Sequence, residues 1–140
     1  MKTSIKRIAL AAVLAISTGA IAEVSIITHP DNDSTVDLKT ASKLFLGKKS
    51  KFSNGSVAVP IEQADGTAPH TEFHASVTKK DPAQLKSYWS RVIFTGKGQP
   101  PKEVASDADV IALISKNPNM IGYVDSSAVD GTVKVVLTAP

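Results

Sequence analysis

The chain has 140 residues, of which 42% are hydrophobic, and a formal net charge of +3 from 16 Lys and Arg against 13 Asp and Glu. It holds no cysteine, which excludes disulfides, thiolate metal sites and cysteine nucleophiles. The three-charge excess is Lys2, Lys6 and Arg7, so the rest of the chain balances at 13 of each sign and offers no general footing for nucleic acid or an anionic surface.

Those three basic residues open a segment that reads as a cleaved secretory signal. A positive start is followed by the apolar run Ile8 to Ile16, then Ser17-Thr18-Gly19 and the small-residue pattern Ala20-Ile21-Ala22. The apolar run falls short of the ~20 residues that a membrane span needs. The expectation is a signal peptide over residues 1–22 and one domain over residues 23–140, placed in the periplasm. A chain of 140 residues less a 22-residue leader leaves 118, enough for one hydrophobic core and too few for two.

Glu23 to Thr28 is rich in β-branched residues and stops at His29-Pro30, which predicts a strand. A helix is predicted from about Asp37, with Leu38, Ala41, Leu44 and Phe45 on one face and Gly47 as its stop. Lys48 to Asn54 is a polar loop closed by the Asn54-Gly55 turn, and Ser56 to Ile61 is a second strand. Pro60 assigns that strand to a strand end or a sheet edge, because proline cannot donate to a ladder.

Asp65-Gly66-Thr67 then turns the chain into a helix over roughly 67–78, with Phe73 and Val77 four apart. Asp81-Pro82 has the N-cap and N1 residues of a further helix, whose apolar face is Leu85, Tyr88, Trp89, Val92 and Ile93. Tyr88, Trp89 and Phe94 are read as core aromatics. Residues 95–101 are read as loop, and Ser106 to Asp109 resembles a capping box that starts a helix through Val110, Leu113 and Ile114. Met120 to Val124 and Val133 to Leu137 complete the set as strands. The order β-α-β-α-α-α-β-β predicts an α/β fold: a single-domain, three-layer-like sandwich with a small mixed sheet flanked by helices.

The ordered set Leu44-Phe45-Leu46-Gly47-Lys48, Asn54-Gly55, Val57 to Pro60, Tyr88-Trp89, Phe94 to Gly98, Pro100-Pro101, Val104 and Ile121 to Val124 resembles the binding proteins of phosphate ABC importers. Those are two-lobed proteins of the type 2 periplasmic binding class, and the stretch resembled here is one lobe. The resemblance implies an exported solute-binding protein, with phosphate or a similar oxyanion as ligand and an importer permease as partner. It implies no cofactor and no enzyme activity. The motifs agree with the last point, since neither a G-x-S-x-G turn nor P-loop spacing is present.

In that family the lobe's anion contacts come from a loop like R-x-D-G-S-G-T, and Gln63 to Pro69 stands in its place. Asp65 and Gly66 match, and Thr67 replaces a serine hydroxyl. Gln63 stands where the arginine would be, and Pro69 removes an N–H. The anion candidates are therefore Asp65, Gly66, Thr67 and His70, with Ser126 and Ser127 as a second polar shell. A missing guanidinium removes a charge-assisted bond of roughly 1.5–3 kcal/mol, or ~10- to 100-fold in affinity. An alternative follows from that loss: an interaction module that kept the fold without the ligand, its open wall covered by a second copy or another envelope protein.

The histidines allow a weaker alternative. His70 and His74 lie four apart and share a helix face, and His29, ending the first strand, is expected at the same sheet edge as a third metal ligand. The ordinary expectation for all three is a solvated surface position.

Overall fold

A computed structural model describes residues 23–139; the leader expected over residues 1–22 lies outside the described residues. Five strands form one mixed sheet in the order β3-β2-β4-β1-β5: β1 Val24–Thr28, β2 Val59–Gln63, β3 Lys102–Val104, β4 Met120–Asp125 and β5 Lys134–Ala139. β2 runs parallel to β3 and β4, whereas β1 is antiparallel to β4 and β5. Four α-helices flank it: α1 Leu38–Phe45, α2 Ala68–Phe73, α3 Pro82–Phe94 and α4 Asp107–Lys116. The predicted α/β sandwich around a small mixed sheet is the observed architecture.

Strand alternation divides the core between the two faces of the sheet. Ile26, Ile121 and Tyr123 point to the face covered by α1 and α2, where they meet Leu44, Phe45, Phe73 and Val77. Phe73 stacks on Tyr123 with ring centroids 4.0 Å apart, and Phe45 meets Phe73 edge-on at 4.6 Å. Ile27, Ile61 and Val124 point to the opposite face, which α4 covers with Val110, Ile111 and Ile114. Each such side chain contributes about 1.5–3 kcal/mol when fully buried. Gly122 is a close approach: a Cβ there would lie 2.7 Å from Val110 and 2.9 Å from Ile114, so α4 rests on bare backbone at that point.

The helix starts follow the predicted chemistry. Asp37 accepts from the Thr40 N–H to cap α1, and Asp81 with Gln84 forms a complete capping box on α3. At α4 the box is half made: Ser106 accepts from the Asp109 N–H at 3.2 Å.

Several boundaries move for local reasons. The Asn54-Gly55 turn closes a small loop, with Phe52 N–H donating to the Ser56 carbonyl and Lys51 bridging Val57, so β2 begins at Val59 and not at Ser56. Pro60 lies where β2 pairs with β4 only, because β3 joins from Ile61 onward; its missing N–H faces a local edge as expected. β3 follows the predicted loop over 95–101 and has no counterpart among the predicted elements: three residues behind Pro100-Pro101 are too few to show a period. The helix expected over 67–78 is two pieces, since α2 widens at His74–Thr78 into a π-helical turn that ends on Lys79 at φ 57°. Phe94 is 91% exposed and Ile93 is also exposed, which corrects their assignment to the core. Only Leu85 and Trp89 of α3 are buried, in a small outer cluster with Leu46.

Candidate functional site

The C-terminal ends of β2 and β4 point toward the same edge of the sheet, because the two strands are parallel. That edge carries Glu62 and Gln63 from β2, Asp125 from β4 and the turn into α2. Successive residues of a strand face opposite sides, so Glu62 and Gln63 enter different layers.

Gln63, in the position where the resemblance leads one to expect an arginine, is buried against the α4 layer. Its side-chain amide donates to Asp107 Oδ1 at 2.5 Å and to the Tyr123 carbonyl at 3.3 Å. Asp107 Oδ1 also accepts from the Asp125 N–H at 3.1 Å. One carboxylate at the start of α4 thus joins the ends of β2 and β4, and the Gln63 amide is committed to that joint.

The turn Asp65-Gly66-Thr67 takes the conformation expected, with Gly66 at φ 88°, a region open to glycine and strained for other residues. Its polar groups are largely used internally. Thr67 N–H and Thr67 Oγ1 both donate to the Ala64 carbonyl, at 3.2 and 2.9 Å, and Thr67 Oγ1 caps α2 by accepting from the His70 N–H at 3.4 Å. Ser126 Oγ is paired with Ser25 Oγ at 2.7 Å, while the Ser127 hydroxyl and N–H both donate to Asp125 Oδ1. Those bonds hold the Asp125 carboxyl below the usual carboxylate range.

Glu62 enters the other layer and meets the histidines. His70 and His74 are each 2% exposed, so the expectation of solvated surface positions is corrected: α2 turns this face inward against β2 and β4. His74 Nε2 lies 2.5 Å from Glu62 Oε1, and its Nδ1 lies 2.7 Å from the Thr78 hydroxyl. Tyr123 donates to the same Glu62 oxygen at 3.4 Å; burial pushes its hydroxyl far above the ordinary tyrosine value, so it remains a donor. The π turn matters here. His74 O accepts from the N–H of Lys79 and from that of Lys80, which fixes the wide turn carrying Thr78 back under the ring.

His70 Nδ1 is buried without a hydrogen-bond partner, 3.8 Å from Asp65 Oδ1. Burial lowers the pKa of His70; the charge of Glu62 opposes that shift, His74 adds to it, and Asp65 and Glu103 oppose it further. Ligand atoms of Glu62, His70 and His74 lie within 4.8 Å of one another. His29 does not join them. β1 is antiparallel to β4, with Thr28 opposite Ile121, so His29 emerges at the other edge of the sheet and instead accepts from the Asp31 N–H at 3.1 Å. Glu62 was the residue missed; the signal was an acid at a strand end just before an H-x-x-x-H helix.

Two pockets open on this edge and share His70. One, of about 300 Å³, is lined by His70, His74, Lys79, Lys80 and Leu85 among others; the second, of about 600 Å³, adds Asp65, Lys86, Trp89 and Glu103.

The fold is that of one lobe of a phosphate-importer substrate-binding protein. Among solved structures, the chain is similar to a protein described as a phosphate ABC transporter substrate-binding protein, with bound phosphate, from Clostridium perfringens: TM-score 0.61, 22% identity, 82% of this chain and 45% of that one. An ABC-type phosphate transport receptor from Vibrio cholerae gives TM-score 0.61 and 12% identity over 82% of this chain and 46% of that one. PstS from Borrelia burgdorferi gives TM-score 0.56 and 16% identity over 75% and 42%. The chain therefore spans less than half the length of these structures. No protein-family model and no curated protein matches it. Among the described residues, no helix is long and apolar enough to cross a membrane.

Proposed function

We propose that this chain is an exported, non-enzymatic lobe of the phosphate-importer type that has given up phosphate capture and serves as an interaction module of the cell envelope. The observation that carries this reading is Gln63. In the place of a cation it is neutral, buried and hydrogen-bonded to Asp107 and to the Tyr123 carbonyl. Around the turn stand Glu62, Asp65 and Glu103, whose charges all act on His70. A second anion entering that field meets repulsion where the family would offer a guanidinium. The described residues build one wall of such a cleft and leave the facing wall to come from elsewhere; a half-buried oxyanion competes poorly with its own hydration. A second copy or another envelope protein, an importer permease included, would supply that wall.

One observation favours a second reading, capture of phosphate or a similar oxyanion at Asp65, Gly66, Thr67 and His70 with Ser126 and Ser127 nearby. The turn keeps its glycine geometry, and the Asp65 side chain is 73% exposed at a pocket that also holds Lys86. Thermal denaturation separates the two. With millimolar phosphate, sulfate or molybdate, the melting temperature is expected to stay constant. A rise with phosphate that disappears in Thr67→Ala, His70→Ala would overturn the interaction-module reading in favour of capture.

A further inference from the structure

We infer that Glu62, His70 and His74 form a binding site for one divalent transition-metal ion of the Zn²⁺ class, sharing His70 with the anion candidates. Both ring nitrogens of His74 are engaged, Nδ1 by the Thr78 hydroxyl and Nε2 by Glu62. The Thr78 hydroxyl lies 3.2 Å from the His74 carbonyl and 2.7 Å from His74 Nδ1; when its one proton goes to the carbonyl, Nδ1 carries the ring hydrogen. Nε2 then faces Glu62 Oε1 at 2.5 Å, two lone-pair atoms in direct opposition. Something positive belongs between them, either a proton or a metal ion.

At 2.5 Å the two atoms share a proton when no metal is bound, and the residues around them supply the donors for a metal that displaces it. Glu62, His70 and His74 are all buried, and their ligand atoms already lie within 4.8 Å of one another. Bonds of ~2.0–2.2 Å at tetrahedral angles ask for ligand atoms about 3.3 Å apart, so a pair at 4.8 Å closes by roughly 1.5 Å, and His74 Nε2 and Glu62 Oε1, 2.5 Å apart, open by roughly 0.8 Å. His70 brings a buried ring nitrogen, Nδ1, that has no hydrogen-bond partner. Second-layer contacts are in place as well: Thr78 orients the His74 ring through Nδ1, and Tyr123 donates to the Glu62 carboxylate. Two imidazoles and a carboxylate suit Zn²⁺ and leave a fourth position open, and the two surface pockets that share His70 supply an entry path. Asp65 and Glu103 add negative charge near His70, which favours a cation.

The test uses tag-free, metal-free protein titrated with ZnCl₂ and CoCl₂ in phosphate-free buffer. One ion per chain is expected, with the strong visible absorption of four-coordinate Co²⁺ and Co²⁺-shifted ring resonances from His70 and His74 but not from His29. That last measurement needs no variant. Thr78→Val, which leaves all three ligands in place, should weaken binding ~10- to 100-fold. His70→Gln should weaken it at least as much, and His29→Ala should leave it unchanged. Absence of stoichiometric binding, unchanged affinity in folded His70→Gln, or paramagnetic shifts confined to His29 would overturn the assignment. The titration contains no oxyanion, and a phosphate-induced rise in melting temperature that is lost in Thr67→Ala alone, which keeps all three metal ligands, tests the anion turn separately.

Discussion

The two faces of the sheet are held by different physics. On the α4 side, Ile27, Ile61, Val110, Ile114 and Val124 make an apolar layer, and the buried amide of Gln63 sits at its rim with both donors used. On the α1 and α2 side, an aromatic cluster of Phe45, Phe73 and Tyr123 runs directly into a buried carboxylate and two imidazoles. One layer depends on shape, the other on completing a polar network at depth. Burial of unpaired charge costs far more than a lost methyl contact, so the polar layer is the one with a function to explain.

The sharpest way to break the comparison is to remove one member of the buried pair. Glu62→Ala should lower the unfolding free energy by about 3–5 kcal/mol, because it leaves His74 without its counter-group. Urea denaturation reads this directly. Replacing both together, Glu62→Met with His74→Leu, should cost less than the single change, since the uncompensated group goes too. A double variant as unstable as the sum of its parts would show that the layer is held by packing alone.

Gly122→Ala probes the apolar face. A methyl at 2.7 Å from Val110 must push α4 off β4, for a loss of about 1–3 kcal/mol by the same denaturation. A neutral outcome would show that α4 is seated more loosely than the contacts around Ile114 imply. Smaller again is the cap of α3: Asp81→Ala removes the carboxylate that accepts from the Gln84 N–H and leaves the Asp81 N–H donating to the Gln84 side chain, at about 1 kcal/mol.

The least effect is a pH dependence confined to the polar face. Burial depresses the His70 pKa below its ordinary 6.5, so the fold favours the neutral ring. The stability this provides is complete above the unfolded value and is lost as pH falls from about 6.5 through the lower folded pKa. The melting temperature should therefore drop on acidification in that window, and His70→Gln should flatten the profile. An identical slope in the variant would place the acid sensitivity elsewhere.

Much of the fold could be read from local chemistry. Asp37, Asp81-Pro82 and Ser106 marked helix starts, β-branched runs marked strands, and Asn54-Gly55 marked a turn; each depends on neighbours within four residues. The candidate site was legible only in part. The four-residue spacing of His70 and His74 showed that they share a face, but not which way that face turned. Burial of both depends on α2 docking against β2 and β4, contacts made with residues far away in the chain. His29 was misplaced for a similar reason: a strand's direction within a mixed sheet is set by its pairing partner, not by its own residues.

The residues themselves determined that a cysteine-free chain would form an α/β domain, and their resemblance to the phosphate-importer binding proteins implied an arginine and an N–H at the turn where Gln63 and Pro69 stand. Only the tertiary structure decided what those replacements mean. Parallel pairing of β2 with β4 brought Gln63 to Asp107, and strand alternation sent Glu62 the opposite way to His74. Side-chain type fixes which bonds a group can make, whereas long-range strand order fixes which partner is within reach.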